Sequence, residues 1–135
     1  MTSTAASGDD GYIVTVNGDS GSNYTWHMIY GIGSGPAYAA TGGSSQSRIY
    51  PYGLPFSGGS NIGWGAMVTD ILDYSNTNKN KTFRFLSGYD TNGAGDMVLA
   101  SGLWMNTAAI SSITIAAPYG NFASGSSFAL YGIKG

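Results

Sequence analysis

His27, in the run YTWHMIY (24–30), is the only histidine of the chain, and histidine is the commonest general base of enzymes. On a strand its neighbours Trp26 and Met28 face the opposite way. The expectation is therefore a partly exposed or hydrogen-bonded strand histidine rather than a catalyst. With no cysteine and one histidine, the usual zinc ligand sets cannot be assembled, and disulfides are excluded. There is no glutamate, so a glycosidase would have to be built from two aspartates. Asp9, Asp10, Asp19 and Asp90 stand in turn-like contexts, where aspartate bonds to nearby backbone. No serine occupies a G-x-S-x-G elbow. The stretch GIGSGP (31–36) departs from G-x-G-x-x-G, and no helix follows to present its N-terminus to a phosphate. DTNGAGD (90–96) offers oxygens from Asp90, Asn92 and Asp96, but its spacing is not that of an EF-hand and it reads as a tight turn. No enzyme, metal or cofactor is expected.

The elements that would position these residues are strands. Charged residues make up 9% of the chain against a usual quarter, while Gly, Ser, Thr and Asn fill close to half of it. Aromatics at 13% and many β-branched residues argue against disorder and for a packed β fold. A length of 135 residues suits one domain with its own core. Candidate strands are YIVTV (12–16), NYTWHMIY (23–30), QSRIY (46–50), the run 62–74, TFRFLS (82–87), DMVLASGLW (96–104), AISSITIA (109–116) and SSFALYGI (126–133). Residues 31–45 and 51–61 read as loops. About eight short strands separated by Gly, Asn and Pro predict an antiparallel β-sandwich or barrel over 12–135, preceded by a small polar arm at 1–11.

Composition also limits the partners. Five scattered basic residues form no cationic footprint for nucleic acid. No stretch reaches the roughly 20 apolar residues of a membrane helix. MTSTAASGDD has neither a basic start nor an apolar run, so it does not read as a secretory signal.

Aromatic residues fall on several strand candidates. Trp26, Trp64 and Trp104 are expected to pack in the core, with sugar stacking as the alternative. The segment RIYPYGLPFSGG (48–59) crowds Tyr50, Tyr52, Leu54 and Phe56 around two prolines in an expected loop, where they either cover the core or meet a neighbouring subunit.

Residues 76–135 resemble a module common in virion proteins of tailed bacteriophages. The features that match are K-T-F at Lys81–Phe83, GLWMNTAAISSITI (102–115) and NFASGSSFALYGIKG (121–135). The resemblance implies a jelly-roll β-sandwich closed by the final strand, with residues 126–133 paired on both sides. It further implies a capsid decoration, or cement, protein that trimerises on the outer surface of the head, with the major capsid protein and itself as partners, made in the host cytoplasm. A tail or tail-fibre module that binds host carbohydrate is the alternative. On this reading the arm residues Thr2, Ser3, Thr4 and Ala5, with Tyr50, Tyr52, Leu54 and Phe56, are the candidate partner contacts.

Overall fold

The computed structural model describes residues 1–4, 11–55, 63–92 and 95–133. Its seven strands are β1 (Ile13–Val16), β2 (Tyr24–Ile32), β3 (Tyr38–Gln46), β4 (Ala66–Leu72), β5 (Lys81–Asp90), β6 (Gly95–Trp104) and β7 (Ile113–Ala116), with no helix among the described residues. Five form an antiparallel sheet in the order β3-β2-β6-β5-β4, and β1 and β7 form a second, two-stranded one. The expected all-β sandwich is present.

Period-two alternation decides which side chains enter the core. In β5, Lys81, Phe83, Phe85 and Ser87 point inward while Thr82, Arg84 and Leu86 point out. Beside them, β6 contributes Val98, Ala100 and Trp104, and β2 contributes Tyr24 and Met28. The small sheet adds Val14 and Val16, and the connecting segments add Tyr12, Ile49 and Leu54. Phe83 and Phe85 stack at 6.0 Å, and Tyr12 meets Phe85 edge-on at 6.2 Å. Ile49 reaches over Gly102, where an added Cβ would stand 2.6 Å from the Ile49 Cδ1. The turn from the small sheet to the large one is Asn17-Gly18, both at positive φ (54° and 66°), a conformation Asn and Gly tolerate best. The Asn17 side chain also fastens the segment before β7. Its Nδ2 donates to the Ala109 carbonyl at 2.8 Å, and its Oδ1 accepts from the Ser111 amide at 2.8 Å.

Three expectations need correction. Residues 31–45 are not one loop, because β3 occupies their second half. Apart from the half-buried Ala40, Gly42 and Gln46 that strand is exposed, and it is built mainly from Ala, Gly, Thr and Ser, so no alternation of large apolar residues marks it. Pairing with β2 holds it instead, with register shifts around Trp26, whose ring lies against Gly42 so closely that no Cβ would fit. Within 46–50, Gln46 ends β3 opposite Tyr24, and Ile49 makes a single bridge to Val14, so the segment is not a strand of its own. Finally, 126–133 is not an interior strand. No backbone hydrogen bond joins residues 127–133 to another described residue, and Leu130, Tyr131 and Ile133 are 83–88% exposed. Alternation makes that segment competent to pair, but a strand also needs an edge beside it. An eight-stranded jelly roll would need one strand more than the seven described here.

Candidate interaction face

The outward face of the five-stranded sheet carries an aligned set of exposed apolar residues. Register places Ala39, Ile29, Leu99, Leu86 and Val68 opposite one another on β3, β2, β6, β5 and β4. They form one row perpendicular to the strands, ~19 Å long at the usual interstrand spacing. The four large members are 46–62% exposed. Met97 stands in the neighbouring outward row between Gly31 and Gly88, which have no side chains to shield it. A row of apolar groups in contact across a whole sheet differs from single apolar residues scattered over a surface, which are ordinary.

Polar residues line the other flank. His27, Ser101, Arg84 and Asp70 follow one another across β2, β6, β5 and β4, with Thr41 beside His27 on β3. Arg84 donates to Asp70 Oδ2 from both Nε (3.0 Å) and Nη2 (2.6 Å), so this charge pair neutralises itself on an open surface. Between the two rows lies a shallow apolar depression of about 600 Å³, bordered by His27, Ile29, Ala39, Thr41, Arg84 and Leu99. It lies across β3, β2, β6 and β5 on the open side of the sheet, which suits a flat partner surface. Burying each half-exposed aliphatic side chain of the row would release roughly 1 kcal/mol.

No family model, curated protein or solved structure matches this chain.

The residues singled out from sequence land elsewhere. Thr2 and Ser3 are buried, and residues 1–4 are laced into the domain. The Met1 amino group donates to the Gly65 carbonyl at 2.7 Å, and the Gly65 amide returns a bond to the Met1 carbonyl at 2.8 Å. Thr2 Oγ1 and the Ser3 amide both donate to the Pro55 carbonyl, each at 2.9 Å, and Ser3 bridges Phe122. Thr4 is exposed, while Ala5 and Phe56 lie outside the described residues. Leu54 is buried, and Tyr50 and Tyr52 are half-buried. Tyr52 stacks on Tyr30 at 6.1 Å and meets Tyr50 edge-on at 5.2 Å, so the proline-stiffened segment covers one end of the core. Thr2, Ser3 and Leu54 expose almost no surface in the single chain.

Of the three tryptophans, Trp104 is in the core, Trp26 is half-buried, and Trp64 is exposed with its ring against Gly125. His27 is exposed, as expected of a strand histidine on the outer face. DTNGAGD spans the β5–β6 connection, where the Asn92 amide bonds to Asp90 Oδ1 at 2.7 Å. No group of three or more potential metal-ligating side chains occurs among the described residues. The sequence signal for the apolar row was present but easily passed over. Ile29, Val68, Leu86 and Leu99 are apolar residues out of phase with the core set of their own strands.

Proposed function

We propose that the protein is a structural subunit that works by adhesion, namely a capsid decoration protein of a tailed phage, bound as a homotrimer to the major capsid protein on the outside of the head. The observation that carries the adhesive reading is the apolar row Ile29–Leu99–Leu86–Val68, exposed across four strands. The virion setting is supported by the resemblance of residues 76–135. The contact is the sheet face rather than residues 1–4, whose polar groups are engaged within the domain.

The mechanism on this reading is mechanical. The row and its shallow depression lie on the shell and exclude water, and the self-neutralised Arg84–Asp70 pair adds no net charge to repel it. Each contact is weak, but three linked faces per trimer raise avidity by about 10²–10⁴-fold over one. The test is co-sedimentation with DNA-filled heads. The wild-type chain binds, and Leu86→Asp with Leu99→Asp abolishes binding while circular dichroism shows the same β fold, with a lower thermal midpoint because the two carboxylates stand opposite each other. A double variant that coats heads normally would remove the face from the mechanism. Failure of the wild-type chain to bind any head would remove the virion reading.

A further inference from the structure

A second apolar feature lies on the opposite side of the large sheet. Two strands cannot cover five, and the mismatch falls at β4. Its inward residues Met67, Thr69 and Ile71 are only half-buried. Together with Val14 of β1 and Ile113 and Ile115 of β7 they enclose a groove of about 560 Å³ between the two layers. The edge of β7 away from β1 makes no backbone hydrogen bond to any described residue, and neither does the edge of β4 away from β5. The groove therefore offers an apolar floor and a free strand edge, which are the two requirements of β-strand addition.

The chain itself holds a segment that fits. Phe128 is anchored edge-on against Phe122 at 5.1 Å, beside the groove mouth. Beyond it the chain passes the rim at Ala129 and Leu130 and continues into solvent, with its apolar residues exposed and its backbone unpaired. Residues 129–133 span ~17 Å as a strand, enough to run the length of the four-residue β7. Residues 127–130 border their own groove without pairing with the β7 edge, and Leu130, Tyr131 and Ile133 stand in water, so a strand-competent apolar segment is presented to the same edge on another molecule.

We infer that residues 129–133 of one copy add as a third strand to the free edge of β7 in a second copy, covering Met67 and Ile71. Reciprocal exchange of this segment closes a two-fold dimer, and one-way exchange closes a ring where the rotation permits; the ring is the form that matches the proposed homotrimer. This inference deepens the assembly reading by naming the second copy as partner, and it uses a surface separate from the outer apolar row. It also removes a liability, since an exposed strand edge and an exposed apolar strand both invite uncontrolled pairing.

The chain has no cysteine, which makes the test clean. Thr114→Cys and Tyr131→Cys are prepared as separate single variants and mixed under mild oxidation. The expected product is a disulfide-linked pair containing one of each. Absence of that pair, with ready closure within a single chain carrying both changes, would place the tail in its own groove and overturn the inference. In parallel, light scattering on the full chain should show the mass of the proposed homotrimer, and Leu130→Asp with Ile133→Asp should reduce it to a monomer. Unchanged mass in that variant would also overturn it. The outer-face variant Leu86→Asp with Leu99→Asp should keep the ring and lose only head binding, so failure of the virion reading and failure of strand exchange give different results.

Discussion

The indole N–H of Trp104 donates to Asp19 Oδ2 at 2.7 Å, joining the end of β6 to the turn that follows β1. The same carboxylate accepts from the Gly21 amide at 2.8 Å and from Asn23 Nδ2 at 2.9 Å. Trp104 is almost fully buried, so its one polar atom depends on this partner. Asp19→Ala should cost about 1–3 kcal/mol, the usual penalty for stranding a buried donor, read as a shift in the urea unfolding midpoint.

The same bonds set a pH dependence. The Trp104 N–H foremost, then Asn23 and the Gly21 amide, hold the Asp19 carboxyl below the ordinary aspartate range. A carboxyl depressed in the folded state contributes stability that is fully present above its unfolded pKa of about 3.9 and is lost as pH falls through the folded value. The wild-type chain should therefore lose stability more steeply than Asp19→Asn below about pH 4, with parallel curves between neutrality and that point. Solvent near the carboxylate keeps the effect small. Thermal midpoints of both proteins across the acid range check it, and parallel curves throughout would contradict it.

Lys81 begins β5 fully buried, with its ammonium inside a ring of backbone carbonyls. Nζ donates to the carbonyls of Asn76 and Lys79 at 2.6 Å each and of Thr107 at 3.0 Å. It closes the 73–80 loop and ties it to the segment between β6 and β7. Lys81→Met keeps the stem but strands three acceptors, and should cost about 2–3 kcal/mol by denaturant unfolding. An unchanged midpoint would mean that water replaces the ammonium without loss.

These cases show what was legible in the chain and what was not. β5 could be read directly, because KTFRFLS alternates and its inward residues are large. β3 could not, because the inward face of this edge strand carries only small residues, Ala40 and Gly42, which display no apolar phase, and pairing with β2 defines it. The segment 126–133 has the composition of a strand, yet residues 127–133 make no backbone hydrogen bond to another described residue. Alternation records what a segment can bury, not whether an edge lies within reach. The outer row depends on register across four hairpin and non-local pairings, so its members lie far apart in sequence and become one feature only when the strands are aligned. Small polar residues at 2–4 resembled a free arm because nothing local shows that Pro55 and Asn121 will accept their bonds.

Residues 1–4 are bonded into the domain, the opposite of a detachable arm. Removing residues 1–4 deletes the amide bonds of Ser3 to Pro55 and of Thr4 to Asn121, the Ala123 bond to the Thr2 carbonyl, and the buried Thr2 hydroxyl contact. At about 1 kcal/mol for each net bond, the loss is several kcal/mol. The truncated chain should melt well below the full one in calorimetry. A shortened protein of unchanged stability would return these residues to the role of a free arm.

Gly102 and Ile49 give the sharpest packing test. Gly102 lies on β6 between Trp26 and Phe83 on the flanking strands, and its missing side chain admits the Ile49 side chain from the segment that bridges to Val14. A Cβ there would stand 2.6 Å from Cδ1 and 2.9 Å from Cγ2 of Ile49, inside van der Waals contact. Gly102→Ala should therefore cost about 1–3 kcal/mol through overpacking. Ile49→Val removes the Cδ1 methyl and on its own costs about 0.5–1.5 kcal/mol. Because both changes act on one space, the double variant should be more stable than the sum of the single losses predicts. A double-mutant cycle by urea unfolding reads the difference directly, and strict additivity would show that the two residues do not share the space.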